Sequence, residues 1–95
     1  MAASSGGGGR EKHLAFEQHF LEDLRYWVVN DPKIATKVLD LVDAVRRDPI
    51  RGIGKPELLK HVGSGYWSRR ITQEHRLVYR VLDTRIMFVQ ARYHY

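Results

Sequence analysis

The 95-residue sequence contains no cysteine, only three prolines and no long apolar run. Without cysteine the chain can form neither a disulfide framework nor a thiolate metal site, and such a composition fits a reducing compartment. No apolar segment approaches the roughly 20 residues that a transmembrane helix requires. The N-terminal stretch MAASSGGGGR also lacks the apolar core of a secretory signal. We therefore expect a cytoplasmic protein with no membrane partner.

Acidic residues are scarce in the C-terminal half. Residues 1–50 carry seven Lys/Arg and eight Asp/Glu residues, whereas residues 51–95 carry nine Lys/Arg and three Asp/Glu residues. The excess positive charge, +5 for the whole chain, therefore lies in the second half. This half forms either a solvated basic sheet face or a binding site for a polyanion, for which nucleic acid is the usual candidate.

Motifs of metal, nucleotide and DNA chemistry are also missing. The five histidines are scattered, and none has the spacing that metal ligands usually share. The sequence contains no glycine-rich phosphate loop, no Ser/His/Asp arrangement and no helix-turn-helix pattern. We therefore expect neither a bound metal nor a cofactor.

The residue pattern predicts one α+β domain. Residues 1–12, with two serines followed by four glycines, are expected to be a flexible Gly/Ser leader, and residues 13–95 to form the domain. Apolar residues at spacings of three and four predict two helices, from about Glu17 to Val29 and from Pro32 to about Arg47. Asp31 suits the N-cap of the second helix, and proline suits its first position.

The strands are predicted from period-two alternation and from the turn residues between them. Because a short strand and two helices precede a run of consecutive strands, we expect two N-terminal helices packed on one face of an antiparallel sheet. The other face is then free to be basic. The predicted strands are His13–Phe16, Leu58–Val62, Tyr66–Ile71, Arg76–Leu82 and Arg85–Tyr95.

If the polyanion is RNA, the C-terminal half contains the groups needed to cut it. The neighbouring 2′-OH acts as nucleophile, a base removes its proton, cations stabilise the transition state, and an acid protonates the departing oxygen. Glu57 is a candidate base because it follows a proline in a loop, and neighbouring cations favour the ionised form that a base requires. Its ordinary alternative is a surface glutamate in a turn.

Arginines from three predicted strands could meet on one phosphate, because planar guanidinium groups match phosphate oxygens. Alternation places Arg69 and Arg70 on opposite faces of the sheet, so at most one of them can belong to a given phosphate site. His94 shares a predicted strand face with Arg92 and is a candidate proton donor if a phosphate or a carboxylate offsets the effect of the neighbouring cation. Solvated arginines and an idle exposed histidine are the structural alternatives. The candidate arginines are Arg69, Arg70, Arg76, Arg80 and Arg92.

Two stretches carry a distinctive order of motifs: they read GKPELLKHVGSGYWSRRITQEHRLVYRV, from Gly54 to Val81, and ARYHY, from Ala91 to Tyr95. In this order the motifs strongly resemble those of the YoeB/Txe family of bacterial toxins, in the RelE-like superfamily. The similarity extends upstream through DLRYWVVNDPKIATKVLDLVDAVRRDPIRGIG and covers about residues 14–95. Leu58 replaces a common proline and Gln73 a common acid, and neither change removes a proposed catalytic group.

The resemblance implies a RelE-like microbial ribonuclease fold and a metal-independent endoribonuclease that cuts mRNA in the ribosomal A site. It implies Glu57 as the general base, Arg76 as the cation that stabilises the transition state, and His94 as the general acid. The resemblance also implies substrate-binding roles for Lys60, Arg70, Arg92 and Tyr95. Tyr66 and Trp67 could belong to the core or stack on bases, and for Trp67 we favour the core.

The partners that the resemblance implies are mRNA on the ribosome, ribosomal RNA, a YefM-like antitoxin and a second copy of the chain. Two other functions compete with mRNA cleavage. One is a basic module that blocks the ribosome or nucleic acid without cutting, and the other is a toxin of the same fold with another target, such as gyrase. The joint presence of Glu57, Arg76 and His94 favours the enzyme, because a pure binder needs neither a base nor a proton donor.

Overall fold

A computed structural model of the protein describes residues 12–93. Most of the predicted leader, and also His94 and Tyr95, lie outside the described residues. No helix within residues 12–93 is long and apolar enough to cross a membrane. The elements in chain order are β1 (His13–Phe16), α1 (Gln18–Asn30), α2 (Pro32–Arg47), β2 (Glu57–Leu58), β3 (Tyr66–Arg70), β4 (Arg76–Val81) and β5 (Arg85–Gln90).

The two helices meet at a single residue, Asp31. Its backbone N–H donates to the carbonyl of Trp27 and ends α1, and its own carbonyl accepts from Ile34 and begins α2. Pro32 occupies the start of α2, where its missing N–H costs no helical hydrogen bond. The Asp31 side chain makes no capping hydrogen bond, so the backbone alone defines this junction. The predicted bounds of the second helix are confirmed.

The five strands form one mixed sheet in the order β1-β5-β4-β3-β2. The predicted α+β class, with both helices packed against this sheet, is confirmed. Strands β2 to β5 pair antiparallel, as expected. The first strand differs, because β1 pairs in parallel with β5, with His13 opposite Arg85. A parallel neighbour requires a long crossover, which the helices and the next three strands provide.

The core lies between the helices and one face of the sheet. The apolar stripes of α1 and α2 pack against alternate residues of β4 and β5, which confirms the core assignment of both stripes. Trp67 is partly buried and packs against this core, as favoured from the sequence. Fully or almost fully buried members are Phe20, Trp27, Val38, Leu41, Val45, Leu77, Tyr79, Ile86 and Phe88.

Strand β2 is shorter than predicted and begins earlier. The prediction placed a strand at Leu58–Val62, whereas the pairing covers Glu57–Leu58. The following residues form a turn that closes when the N–H of Leu59 donates to the carbonyl of Tyr66 at 2.8 Å. In this turn Gly63 has φ 144°, a conformation that side chains disfavour. The turn therefore begins inside the segment that alternation alone assigns to a strand.

Strand β5 ends at Gln90, so the predicted strand Arg85–Tyr95 is wrong at residues 91–93, and its last two residues lie outside the described part of the chain. Ala91 binds side chains of α1 through its backbone groups instead of continuing the ladder. Tyr93 then adopts φ 57°, which is incompatible with a strand. The chain therefore leaves the sheet where the ARYHY motif begins.

Arg69 is a fully buried cation on the helix-facing side of the sheet. Its Nε donates to the hydroxyl of Tyr79 at 3.1 Å, and its Nη atoms donate to the carbonyls of Asp48, Arg51 and Ile53. Four acceptors compensate for the loss of water around the guanidinium group. Arg69 therefore fixes the loop between α2 and β2 and is not available to a phosphate.

We expect Tyr79→Phe to lower the free energy of unfolding by about 1–3 kcal/mol, because buried polar groups lose their partner. The Tyr79 hydroxyl donates to the carbonyl of Pro49 at 2.7 Å and accepts from Arg69. Urea denaturation at neutral pH measures this loss. Tyr26→Phe is a matched control, because Tyr26 is partly exposed and its hydroxyl has no hydrogen bond within residues 12–93.

The Tyr79 hydroxyl also makes the stability of the folded state depend on pH in the alkaline range. Burial raises the pKa of Tyr79 above 10.0, and the hydrogen bond from Arg69 opposes this shift in part. A raised pKa means that the folded state favours the neutral phenol, so this stabilisation is complete below about pH 10 and is lost as the pH rises through the folded-state pKa. Tyr79→Phe should therefore lose less stability than wild type in alkali. Equal losses in both proteins would contradict this assignment.

Candidate active site

The open face of the sheet, opposite the helices, collects polar side chains from three strands. Register pairs Glu57 of β2 with Ser68 of β3, and Arg70 of β3 with Arg76 of β4. Paired residues share a face, and Leu77 next to Arg76 points into the core. Glu57, Ser68 and Arg76 therefore lie together on the open face.

Arg76 connects these side chains directly. Its Nη1 donates to Oε1 of Glu57 at 3.3 Å and to Oγ of Ser68 at 3.2 Å. The Arg76 side chain is 24% exposed and that of Glu57 is 63% exposed, while Ser68 is fully buried. The guanidinium group is therefore held in place by the sheet, and the carboxylate beside it is open to a ligand.

A tightly packed loop brings Glu57 to this position. Gly54 has φ 85°, and a Cβ atom there would lie 2.9 Å from Cδ2 of Leu41 on α2. Its carbonyl accepts from the N–H of Arg70 at 2.6 Å, which joins the loop to β3. Since the side chain of Arg69 binds the carbonyls of Arg51 and Ile53, two consecutive residues of β3 hold the loop that leads to Glu57.

Helix α1 holds the chain where it leaves β5. Oδ2 of Asp23 accepts from the N–H of Ala91 at 2.9 Å, and Nε1 of Trp27 donates to the carbonyl of Ala91 at 2.8 Å. Asp23, Trp27 and Ala91 are all buried. These bonds satisfy polar groups that would otherwise be orphaned in the core.

His75 and Arg76, at the start of β4, then hold Tyr93. Its backbone N–H donates to Nδ1 of His75 at 2.8 Å, and its carbonyl accepts from the backbone N–H of Arg76 at 2.8 Å. The residue that precedes His94 is thus anchored to the backbone of the same arginine whose side chain binds Glu57. His94 and Tyr95, the predicted general acid and terminal aromatic, lie outside the described residues.

The other predicted substrate-binding residues are more dispersed. Arg70 is exposed at the end of β3, opposite Arg76, and Lys60 is exposed in the turn after β2. The guanidinium carbon of Arg92 lies 3.7 Å from the ring centroid of Tyr26 on α1. Within residues 12–93, no side-chain hydrogen bond or ion pair joins Arg92 to Glu57 or to Arg76. The structure therefore brings Arg70 close to the site and directs Arg92 to the helix.

Arg80 and Tyr66 form a separate pair on the open face. They are opposite each other in register, and the guanidinium carbon lies 5.1 Å from the tyrosine ring centroid. Nε of Arg80 donates to the carbonyl of Ser64 at 3.0 Å. Arg80 thus stabilises the turn between β2 and β3, and Tyr66 is half-buried beneath a cation.

Sequence reasoning did not single out four residues that build the site: Asp23, Ser68, Trp27 as a hydrogen-bond donor, and His75. Ser68 could have been found, because alternation places it on the same face as Arg70 and Arg76. An acid at position 23, within an apolar helical stripe and four residues from a tryptophan, also suggests a buried polar contact. No local pattern indicates the role of His75.

The arrangement suits acid–base chemistry at a phosphate. An accessible carboxylate accepts protons, and Arg76 keeps further N–H donors for an anion while Nη1 binds Glu57 and Ser68. Residues 12–93 contain no group of three His, Cys, Asp or Glu side chains that could hold a metal ion.

Two helices on this five-stranded sheet define the class of small RelE-like bacterial toxins. Residues 16–95 match the family described as YoeB-like toxin of bacterial type II toxin-antitoxin system, and the chain belongs to this family. It is 48% identical to Toxin YoeB of Streptomyces coelicolor over 82 residues, covering 86% of this chain and 98% of the relative.

Two solved structures of Staphylococcus aureus proteins are also similar. The YoeB dimer has a TM-score of 0.81 at 42% identity, covering 90% of this chain and 99% of that chain. The heterotetrameric YoeB-YefM toxin-antitoxin complex gives 0.77 at 42% identity, covering 88% and 98%. The resemblance expected from the sequence motifs is confirmed.

Proposed function

We propose that this toxin is a ribosome-dependent, metal-independent endoribonuclease that cuts mRNA in the A site and so inhibits translation. The observation that carries the proposal is the pairing of Glu57 with Arg76 on the open face, beside the anchored Tyr93. A binding protein has no need of an exposed carboxylate in a basic surface, whereas phosphodiester cleavage needs a base next to a cation. Family membership supports the same reaction.

In the proposed reaction, the carboxylate of Glu57 takes the proton of the ribose 2′-OH. The 2′ oxygen then attacks the adjacent phosphorus, forming a new P–O bond, and the bond to the 5′ oxygen breaks. Arg76 stabilises the extra negative charge on the phosphorane-like transition state. His94 gives a proton to the departing 5′ oxygen, which leaves one fragment with a cyclic phosphate and the other with a 5′-OH.

Residues around this pair position the RNA. Arg70 and Lys60 are proposed to bind phosphates, since both are exposed and carry no hydrogen bond from the side chain within the described part of the chain. Tyr95 is proposed to hold a base by stacking. Arg92 is proposed to assist indirectly, because its contact with Tyr26 steadies the segment that leads to His94.

The proposed partners include an antitoxin and a second toxin molecule. The similar Staphylococcus aureus protein occurs as a dimer and in a heterotetramer with YefM. We propose that this chain likewise forms a homodimer and binds a YefM-like antitoxin. Its targets, mRNA and ribosomal RNA, place its action in the cytoplasm.

The experiment that tests the function is 5′-end mapping of mRNA from translating ribosomes treated with wild type, Glu57→Gln or His94→Gln. We expect cuts within the A-site codon with the wild type and strongly reduced cutting with both variants. Translation arrest without new 5′ ends would instead support a module that blocks the ribosome. Arrest of DNA supercoiling with intact mRNA would support a gyrase-directed toxin.

A further inference from the structure

Beyond β5, the backbone of the chain is bound mainly by side chains instead of by a neighbouring strand. Pairing stops at Gln90, yet all four backbone polar groups of Ala91 and Tyr93 have partners at 2.8–2.9 Å. We call this arrangement the C-terminal clamp: the side chains of Asp23, Trp27 and His75 with the backbone N–H of Arg76. Such complete pairing fixes the direction of the chain at residue 93.

We propose that His75 is a positioning residue for the reaction: through Tyr93 it fixes the point from which His94 extends, beside Arg76. The catalytic meaning of this role rests on the proposed function, whereas the clamp itself does not. Tyr93 has φ 57°, which costs a non-glycine residue free energy and persists only when its surroundings impose it. The hydrogen bonds to the side chain of His75 and from the backbone of Arg76 impose it.

The order of His75 and Arg76 in the sequence gives each a separate task. Successive residues of an extended segment point to opposite faces. The ring of His75 turns to the helix side, where it meets Trp27 edge-on at 4.8 Å between centroids. The side chain of Arg76 turns to the open face and binds Glu57, while its backbone holds Tyr93. Arg76 therefore binds the proposed base, Glu57, and together with His75 it holds Tyr93, the residue to which the proposed acid, His94, is attached.

The clamp requires a neutral imidazole. Nδ1 of His75 accepts from the N–H of Tyr93, so its proton must lie on Nε2. A proton on Nδ1 would set two donors against each other and release Tyr93. Charged groups nearby are Glu74 and Arg76 in sequence, Arg92 over the same tyrosine ring at 5.2 Å, and Asp23 on the adjoining Ala91.

Two variants distinguish the contribution of the His75 ring from that of its hydrogen-bond acceptor, Nδ1. His75→Phe keeps an aromatic ring against Trp27 and Tyr93 but has no acceptor, whereas His75→Asn keeps an acceptor near the position of Nδ1 and loses the ring. His61→Ala is the matched control, because His61 is exposed and its side chain makes no hydrogen bond, ion pair or ring contact within the described part of the chain. Trp27→Phe removes the donor to Ala91 and tests the clamp from α1 if His75→Phe does not fold.

The first readout is the backbone order of Tyr93, measured by ¹⁵N relaxation in the full-length toxin. We expect an order parameter of about 0.8 in wild type and His75→Asn, and below about 0.6 in His75→Phe. A rigid Tyr93 in His75→Phe would overturn the clamp.

The second readout is cleavage on ribosomes. We expect His75→Phe to lower kcat by up to about 100-fold with little change in KM, because a misplacement of about 1 Å can cost that factor. His75→Asn should recover most of the rate, and His61→Ala should match wild type. A mobile Tyr93 with unchanged kcat would overturn the positioning role. A wild type that does not cut would refute the proposed function, while the relaxation data would still decide the clamp.

Discussion

A Glu57→Gln variant is expected to cut mRNA on ribosomes about 10²- to 10⁴-fold more slowly than wild type, which is the usual contribution of a general base. Glutamine retains the length of the side chain and still accepts a hydrogen bond from Arg76. Its amide cannot take the proton of a 2′-OH. The loss should therefore appear in the single-turnover rate of ribosome-bound mRNA, with the fold and the orientation of Arg76 unchanged.

Glu74→Gln is the matched control for this prediction. Glu74 is one of the three acids of the C-terminal half, and it is exposed in the turn before β4 without a side-chain partner among residues 12–93. The Glu74→Gln substitution removes the same charge from the same basic region. Equal slowing by both substitutions would mean that the rate depends on the net charge of the toxin, and that Glu57 is not the base.

The second large effect is expected at Arg76. Arg76→Met should lower kcat by about 10²- to 10³-fold, the cost of removing one preorganised donor to a developing charge. Methionine keeps an unbranched apolar stem in the space that the three-quarters buried side chain occupies. The kcat of Arg76→Lys should lie between those of wild type and Arg76→Met. Lysine keeps the charge but loses the planar guanidinium group that binds Glu57 and Ser68 together.

Separate measurement of kcat and KM tests this assignment. An interaction made only in the transition state lowers kcat, whereas loss of ground-state RNA binding raises KM. Arg85→Met is the control, because Arg85 is exposed at the start of β5 and has no side-chain partner in the described region. If Arg76→Met raised only KM, Arg76 would be a binding residue. The double variant with Glu57→Gln should lose less than the product of the single losses.

The helices could be predicted closely because their signals are local. Apolar spacing, the Asp31-Pro32 start and the arginines at the end of α2 all lie within the element that they define. Strands β3 and β4 were also located to within about one residue, since alternation and flanking turns mark them. The parallel partner of β1 was not predictable in this way, because a pairing between residues 13 and 85 leaves no trace in either segment.

Arg69 and Arg70 show how far alternation extends. Their placement on opposite faces was predicted from strand geometry alone. The fate of Arg69 was not, because its acceptors are carbonyl groups, which every residue has. The end of β5 was missed for the same reason: Asp23 and Trp27 bind the backbone of Ala91 from 68 and 64 residues away.

The assignment of Glu57 and Arg76 to one catalytic set followed from the resemblance, and the structure places these two side chains 3.3 Å apart. The proposed roles of His94 and Tyr95 stay predictions. Alternation could have indicated Ser68, which accepts from the guanidinium group, but the sequence held no signal for the contact of His75 with Tyr93. That contact joins a side chain to a backbone group 18 residues away, so only the three-dimensional structure reveals it.

The position of β5 in the sheet also determines when the domain can complete its folding during synthesis. β5 is the last of the described strands in the chain, yet it lies between β1 and β4 and is the sole neighbour of β1 within the described sheet. A growing chain can form its helices and the β2–β4 meander first, but β1 waits for a partner that is synthesised about 70 residues later. The sheet is complete only when β5 has been synthesised and has left the ribosome. Tyr93, which follows β5 and binds the backbone of Arg76, therefore joins the candidate site only at this late stage.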